Sequence, residues 1–236
     1  MMIKLFQNNL QKVILLITVI LIVTALVTFL STRKSTTINQ DSNKSKTIII
    51  YCSHPQEMYY NGNNVTDIAE EIFNKLKNEY INVCLLEVPT STPRNNGFEI
   101  SREMLKKKVE NFNEVILLDI HIDYPVFQKN QKPLVKNSEQ GINIVVSEKN
   151  KSFKENRKFA DRLLNEIDNL DKKNTTKIIL NNADIFNQDL SNNALLINIG
   201  TGNTSMEDVK TYVDKLVIAL KKITVINYLT GSFNLC

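Results

Sequence analysis

Histidine and carboxylate side chains occur together at two places in this sequence, and these are its only histidines. The chain has 236 residues and two histidines. His54 lies in IIIYCSHPQEMYY with Glu57 three residues later, and His121 lies in LLDIHIDYP with Asp123 two residues later. Neutral imidazole nitrogens and a carboxylate oxygen suit Zn²⁺, and three such ligands leave a fourth position for water. A zinc-bound water titrates near neutrality and attacks an amide when a nearby base takes its proton.

Short apolar runs alternate with helical patterns over most of the chain. The runs that predict strands are 47–52, 82–88, 115–120, 142–147, 177–180 and 194–199. Helix-period patterns occupy 66–80, 156–170 and 204–222, the last opened by a capping box of Thr204 and Glu207. Several runs are apolar on both faces, as buried parallel strands are. The sequence therefore predicts an α/β fold, a three-layer domain with a mostly parallel central sheet.

Polar residues follow several of these strands, and such positions meet at the carboxyl edge of a parallel sheet. His54 and Glu57 follow the first strand, His121 and Asp123 follow the third, and Asn198 lies near the end of the run ALLINI. A single histidine after a strand is more often a hydrogen-bonded surface residue than a ligand. Here both histidines of the chain follow a strand and have a carboxylate close by. This favours a shared site for one zinc ion. The GTGN sequence that follows lacks the GxGxxG pattern and predicts a turn, not a phosphate site.

The N-terminal region has a different composition. Residues 13–30 form a run of eighteen uncharged, mostly apolar residues, flanked by Lys12 and by Arg33 and Lys34. At about 1.5 Å per residue this run is just long enough to cross the hydrocarbon core of a bilayer. No A-x-A-like cleavage site follows it. The sequence predicts a short segment at 1–12, a transmembrane helix at 13–30, a flexible linker at 31–46 and a folded domain at 47–236, of which 223–236 is unassigned. The flanking charges do not fix the orientation.

Composition excludes other classes of function. The net charge is +4, and basic residues alternate with acidic ones without a basic, aromatic-rich stripe, so no nucleic-acid partner is predicted. The three cysteines, Cys52, Cys84 and Cys236, show no CxxC spacing, which argues against a disulfide framework or a zinc knuckle. No Asp/His pair around Cys52 makes a persuasive triad for a thiolate nucleophile beside His54. We therefore interpret Cys52 as a strand-end core residue.

The order of the motifs resembles a known family. IYCSHPQEMY, NVTDIAEEIFNKLK, FEISREMLKKKVENFNEVILLDIHID and FNQDLSNNALLINIGTGNTSMEDV together resemble stage II sporulation protein P, over almost all of residues 47 to about 220. That family consists of membrane-anchored zinc amidases that cleave N-acetylmuramoyl–L-alanine bonds in peptidoglycan during engulfment of the forespore. FNQDLSNNALLINIGTGNT is similar to the family's Y-N-Q-D-L-S … L-L-I-E-V-G … N-T. SHPQE matches T-H-x-x-E, and DIHID matches D-L-H-R-D.

The resemblance implies a zinc amidase/aminohydrolase-like domain that binds one zinc ion through His54, Glu57 and His121. It implies peptidoglycan as the substrate and an extracytoplasmic domain held by a single-pass anchor in the lipid bilayer. Envelope proteins are possible partners. The family's glutamate, expected to act as general base on the zinc water, is replaced by Asn198, which has no proton-accepting carboxylate. The arginine of H-R-D is replaced by Ile122, Cys52 stands where many members have histidine, and the family's His-Asp pair is absent from TSTPRNNGFEIS.

Three functions remain open from the sequence. The first is a zinc-dependent peptidoglycan amidase, slowed by Asn198, in which Asp123, Glu57 or another carboxylate supplies the base. The second is a catalytically inactive peptidoglycan-binding or regulatory envelope module. The third is a purely structural envelope protein without metal. Asn198 separates the first from the second, and the joint presence of His54, Glu57 and His121 separates the second from the third.

Overall fold

The computed structural model describes residue 24 and residues 46–123, 141–170 and 176–225. The chain divides into two units, Met1–Ser42 and Asn43–Cys236. Every described residue except Thr24 belongs to the second unit. The predicted transmembrane helix and linker, apart from Thr24 and Lys46, lie outside the described residues, as does the tail from 226 onward. None of the helices within the described ranges is long and apolar enough to cross a membrane.

The described residues form six strands and four α-helices. The strands are β1 (Thr47–Tyr51), β2 (Val83–Leu86), β3 (Val115–Asp123), β4 (Ile142–Ser147), β5 (Lys177–Asn181) and β6 (Ala194–Thr201). The helices are α1 (Val65–Asn78), α2 (Gly97–Lys108), α3 (Phe153–Asp168) and α4 (Met206–Val225). A 3-10 turn at Arg94–Asn96 leads directly into α2. Each of the six predicted strands is present, and β3, β5 and β6 extend beyond their predicted ends.

The strands form one sheet in the order β2-β1-β3-β6-β4-β5. β2, β1, β3 and β6 run parallel, whereas β4 pairs antiparallel to β6 and parallel to β5. The prediction of a mostly parallel sheet is confirmed, and the reversal of β4 and β5 was not foreseen. Because of this reversal, the amino end of β4 lies at the same edge as the carboxyl ends of β1, β3 and β6.

Helices cover both faces of the sheet. Along β3, Ile116, Leu118 and Ile120 point into a large apolar cluster that also contains residues of α1, α3 and α4. Leu117 points to the other face, into a smaller cluster with Leu105 of α2. Leu105 is fully buried, and such burial of a leucine contributes about 1.5–3 kcal/mol to folding. The smaller cluster therefore fixes α2 over β1 and β3, on the face that carries the polar residues of the site.

Helix α2 was not predicted, and the predicted capping box of the last helix was wrong. The buried residues of α2 are Gly97, Ser101 and Leu105, so its inward stripe carries little hydrophobic signal. Helix α1 begins one residue before its predicted range of 66–80 and is capped by Asn64 in a capping box with Asp67. Ser205 and Asp208 hydrogen-bond at the start of α4, in place of the predicted Thr204 and Glu207. The Thr204 hydroxyl instead accepts from the Thr201 amide at 2.8 Å, inside the preceding turn.

Candidate metal centre

The turn after β1 places Glu57 against the neighbouring strand β3. The Glu57 amide donates to the His54 carbonyl oxygen at 3.1 Å, closing the turn. One carboxylate oxygen of Glu57, Oε2, accepts from the Ile122 amide at 2.9 Å. His121 lies inside β3, not after a strand as predicted, because β3 continues to Asp123. The predicted meeting of the two segments nevertheless occurs, since both reach the same edge of the sheet.

His54, Glu57 and His121 form a group that could hold a metal ion. One ligand atom from each lies within 4.8 Å of the others. The imidazole ring centroids are 5.1 Å apart, and His121 Nδ1 lies 3.2 Å from Glu57 Oε2. Glu57 and His121 are buried, whereas His54 is partly exposed and leaves one side of the group open to solvent. This donor set of two imidazoles and one carboxylate is that of an open zinc site.

Hydrogen bonds on the far nitrogen of each ring favour metal binding by the near one. His54 Nε2 lies 3.0 Å from the Arg94 carbonyl oxygen, which can only accept. His121 Nε2 lies 3.0 Å from Asp119 Oδ1 and 2.9 Å from Ser53 Oγ. From these contacts we place a proton on Nε2 of each ring. This leaves the Nδ1 atom of each ring as the nitrogen that faces a metal. Such outer contacts are the usual companions of metal-ligating histidines.

The charges of the group are balanced around His121. Burial alone lowers the pKa of His121, but the adjacent Asp119 and Glu57 carboxylates outweigh it and raise that pKa to about 10. Burial raises the pKa of Glu57, but its hydrogen bond and charge interaction with His121 more than offset this and hold that pKa below its ordinary value. Burial and the neighbouring His121 lower the pKa of His54. A divalent cation would replace the His121 proton as the positive charge between two buried carboxylates, so the residues fit zinc.

Asp119 links the two segments that carry these residues. It is fully buried, and its Oδ1 accepts from the Ser53 amide at 2.8 Å as well as from His121. Its other oxygen, Oδ2, has no hydrogen-bond partner. In the sequence Asp119 stands only as part of a motif, and no role was predicted for it. Its role here is to hold the His121 ring and the turn that precedes His54 in one orientation.

Replacing Asp119 with asparagine is expected to raise the Kd for Zn²⁺ about 10- to 100-fold. Asparagine can keep an oxygen toward the Ser53 amide and His121 Nε2, but it carries no negative charge. It therefore holds the Nε2 proton less firmly and makes Nδ1 a weaker metal ligand. The measurement is competition with a fluorescent zinc chelator, using the full chain. Asp161→Asn is the control, because Asp161 pairs with Arg157 within α3, and it should keep the wild-type Kd. Equal Kd values for Asp119→Asn and wild type would contradict this role.

Helix α2 begins in direct contact with the metal group. A Cβ atom at Gly97 would lie 2.2 Å from the Ser53 carbonyl oxygen and 3.1 Å from His54 Cδ2. Gly97 has ordinary helical angles, φ −57° and ψ −46°, so space and not backbone conformation requires glycine here. The Phe98 ring, next in sequence, meets the His54 ring edge-on at 4.7 Å. The start of α2 therefore fixes the position of the partly exposed histidine.

Gly97→Ala is expected to destabilise the fold by about 1–3 kcal/mol, because the methyl group displaces α2 from Ser53. The melting temperature should fall by about 2–10 °C. Helix propensity alone predicts the opposite sign, since alanine favours a helix over glycine by roughly 1 kcal/mol. Thermal unfolding followed by circular dichroism measures the difference. Lys106→Ala, an exposed change in the same helix, is the control. A higher melting temperature for Gly97→Ala would show that the close contact does not exist.

Asn198 lies beside His121 in the sheet. It is the register partner of His121 on β3 and of Asn143 on β4, so the three side chains share one face. Asp123 lies two residues beyond His121, past a shift in register, and its carboxylate accepts from Asn143 Nδ2 at 3.2 Å. Burial raises the pKa of Asp123. Neither Asn198 nor Asp123 belongs to the metal-binding group found among the described residues. No sequence signal pointed to Asn143, because its place depends on the reversal of β4.

Comparison with protein families gives a match over most of the chain. The family model of stage II sporulation protein P (SpoIIP) matches residues 24–220. The chain belongs to the SpoIIP family. This finding confirms the resemblance noted from the sequence motifs. A search of curated proteins gave no significant match for this SpoIIP-family chain.

Solved structures share its fold. One is the CwlD amidase of Clostridioides difficile in complex with the GerS lipoprotein, with a TM-score of 0.52 and 15% identity over 77% of this chain and 99% of that one. Another is the N-acetylmuramoyl-L-alanine amidase of Clostridium difficile 630, with a TM-score of 0.51 and 19% identity over 80% of this chain and 100% of that one. At such low identity the likeness shows a common fold.

The NQDLS motif at 187–191 has a structural role. Asn187 Nδ2 donates to the Phe98 carbonyl oxygen and to Ser101 Oγ, both at 3.0 Å. Asp189 forms a bidentate ion pair with Arg102, with N···O distances of 2.7 and 2.6 Å. All three contacted residues belong to α2. The motif therefore positions the helix that packs against His54, and carries no reacting group itself.

Proposed function

We propose that this SpoIIP-family chain is a zinc-dependent N-acetylmuramoyl-L-alanine amidase acting on peptidoglycan, with a rate reduced by Asn198. The observation that carries the proposal is the group of His54, Glu57 and His121, whose ligand atoms lie within 4.8 Å of one another. The family match and the fold shared with N-acetylmuramoyl-L-alanine amidases support peptidoglycan as the substrate.

Each residue of the site has a defined task in this proposal. His54, Glu57 and His121 would hold zinc, which supplies Lewis-acid polarisation of the amide carbonyl and an activated water. Asp119 and the Arg94 carbonyl oxygen keep the Nε2 protons on the two rings. Asn198, on the same face as His121, offers a carboxamide that donates and accepts hydrogen bonds but takes up no proton near neutral pH. Loss of general-base catalysis reduces the rate by roughly 10²–10⁴.

The proposal includes a place in the cell envelope. The uncharged run at 13–30 would anchor the chain in the membrane, and the domain from 47 onward would face peptidoglycan outside the cytoplasm. The length of the run and the location of the substrate support this arrangement. The CwlD amidase was solved with a lipoprotein, which supports an envelope protein as a partner for this chain too.

A second candidate function follows from Asn198 alone. A chain that keeps the metal-binding residues but lacks a base is a peptidoglycan-binding or regulatory module, which binds the substrate but does not cleave it. The two functions share the fold and the ligands and differ in turnover.

The deciding experiment incubates the full chain, loaded with zinc, with purified peptidoglycan and identifies released stem peptides by mass spectrometry. Free L-alanine amino termini, absent when His121→Ala is used, establish the amidase. No release, with zinc bound and the protein sedimenting with peptidoglycan, establishes the binding module. A zinc-loaded protein that neither cleaves nor binds peptidoglycan contradicts both functions.

A further inference from the structure

Two phenylalanine rings lie beside the metal group. Phe98, at the start of α2, meets the His54 ring edge-on at 4.7 Å. It also stacks on the His121 ring, with centroids 6.1 Å apart and an interplanar angle of 27°. Phe186, in the loop between β5 and β6, meets the Phe98 ring at 5.3 Å. Phe98 and Phe186 therefore form a continuous aromatic surface, the aromatic wall, which begins at the two histidines of the metal group.

The aromatic wall lies outside the hydrophobic core. Among the residues that the structure describes, the two apolar clusters and the side chains packed against them include neither Phe98 nor Phe186. Both phenylalanines are partly exposed, as are His54, Asp123 and Asn198 at the same edge of the sheet. Aromatic side chains with a few polar groups among them are typical of the lining of a ligand site. The position and exposure of the wall therefore point to a ligand and not to core packing.

The backbone holds Phe186 in a conformation that phenylalanine rarely adopts. Its φ is 52°, and that of Asn187 is 58°. Asparagine tolerates such left-handed angles, whereas a bulky residue there is an outlier. The Asn187 side chain fixes this turn by donating to the Phe98 carbonyl oxygen and to Ser101 Oγ, both at 3.0 Å. Outliers of this kind persist where the surrounding structure fixes them, and they cluster at ligand sites.

The wall matches the apolar face of a sugar ring. In the proposed function the scissile amide lies at the metal group, and the N-acetylmuramoyl sugar is a few bonds from the amide carbonyl carbon. A pyranose ring presents axial C–H groups, which the negative face of an aromatic ring attracts, and their contact removes apolar surface from water. On the other side of the amide, the alanine methyl group is too small to cover two rings, and charged residues follow it. An uncharged aromatic wall therefore matches the sugar better than the peptide.

We propose that the aromatic wall of Phe98 and Phe186 binds the pyranose ring of the N-acetylmuramoyl group. This inference rests on the proposed function, since it needs the muramoyl amide at the metal group. The ligand class is an N-acetylated sugar that carries a lactyl ether. Phe186 is the residue to change, because its loss removes half of the wall and leaves the contact between Phe98 and His54 in place.

The test uses N-acetylmuramic acid and (R)-2-methoxypropanoate as probes. Both carry the lactyl ether carboxylate that amide hydrolysis releases, and only the first carries the sugar. Neither contains an amide that the proposed reaction cleaves, so an active amidase leaves both intact during a titration. The zinc-loaded full chain is titrated with each probe by ligand-observed nuclear magnetic resonance. Wild type should bind N-acetylmuramic acid about tenfold more tightly, which corresponds to the burial of roughly 50 Å² of apolar surface.

Three variants at Phe186 separate the aromatic ring from its bulk. Phe186→Ala should lose the preference for the sugar and keep the wild-type Kd for (R)-2-methoxypropanoate. Phe186→Tyr keeps the ring and should retain the preference. Phe186→Leu fills much of the same space without a ring, so it should lose most of the preference and gives the same comparison if the alanine variant does not fold. Saturation transfer to the sugar ring protons should be strong with wild type and weak with Phe186→Ala, which a merely structural role would not produce.

Phe73→Ala is the control for loss of a phenylalanine. Phe73 lies on α1 and packs against the large apolar cluster, on the opposite face of the sheet, so this variant should keep the wild-type preference. Circular dichroism and metal analysis verify that every variant is folded and holds zinc. L-alanyl-D-glutamate, the product from the other side of the amide, tests the other occupant. If Phe186→Ala weakens the binding of this peptide alone, the wall binds peptide and the inference is refuted.

The outcomes separate the wall from the proposed function. Equal Kd values of wild type for the two lactyl probes, or an undiminished preference in folded Phe186→Ala or Phe186→Leu, refute the wall and leave the proposed function standing. Release of stem peptides from peptidoglycan without binding of either lactyl probe has the same meaning. A sugar preference that depends on Phe186, without peptide release, supports the wall and contradicts the amidase. Absence of both probe binding and peptide release contradicts the wall and the amidase together.

Discussion

Asn198→Glu is expected to raise amide hydrolysis by the zinc-loaded chain about 10²- to 10⁴-fold. Asn198 is paired in register with His121 and lies on the same face of the sheet, so a longer carboxylate there reaches the region in front of the metal group. That carboxylate accepts a proton from the attacking water, which the carboxamide of asparagine does not. Release of stem peptides from peptidoglycan, followed over time by mass spectrometry, measures the rate.

Asn198→Gln is the matched control for this change. Glutamine has the length of glutamate and lacks its proton-accepting oxygen, so it separates side-chain size from base catalysis. We expect Asn198→Gln to stay at the wild-type rate or below it. If both variants fold, bind zinc and hydrolyse equally slowly, the missing base does not limit the rate. The limiting defect would then lie in another residue near the metal-binding group.

His121→Ala and His54→Ala are each expected to raise the Kd for Zn²⁺ more than about 100-fold, since loss of a metal ligand exceeds the loss caused by an outer contact. Each variant leaves one imidazole and one carboxylate, too few to hold zinc tightly. His121→Ala also leaves the buried Glu57 and Asp119 without the positive group between them, so it should unfold at a lower temperature. Metal analysis after dialysis and circular dichroism give the two readouts.

The control for the histidine variants is Cys52→Ala. Cys52 lies two residues before His54, but its side chain belongs to the large cluster on the opposite face of the sheet. Burial raises the pKa of its thiol, so it stays protonated and is a poor ligand. Cys52→Ala should retain one zinc per chain. Stoichiometric zinc in both folded histidine variants would contradict the assignment of the site.

The sequence predicts the strands well, because buried parallel strands are short, apolar and flanked by polar turns. It also brings His54, Glu57 and His121 to one sheet edge, since the carboxyl ends of parallel strands meet there. The sequence did not predict the direction of β4 and β5. The reversal of β4 depends on tertiary pairing, and for this reason Asn143 was not foreseen beside Asn198.

Contacts between distant segments account for the features that the sequence did not predict. The helix α2 buries a glycine and a serine, which give no hydrophobic period. Its place is set by Asn187, some ninety residues later in the chain, through side-chain hydrogen bonds to Phe98 and Ser101. Asp119 and Arg94 gain their roles only from what lies beside them after folding. Asp119 stands in the DIHID motif, but the motif does not show which groups its carboxylate contacts.

The link made by Asp119 has a consequence for how such a protein diverges. One buried carboxylate fastens both the turn that carries His54 and the strand that carries His121. A metal ion bound between these segments would form a second link between them. Its binding free energy would add to the stability of the fold. Natural selection for a stable fold then preserves the ligands whether or not turnover is selected. Under the proposed function, Asn198 lies outside this network, so a change at Asn198 should cost the fold less stability than a change in a metal ligand.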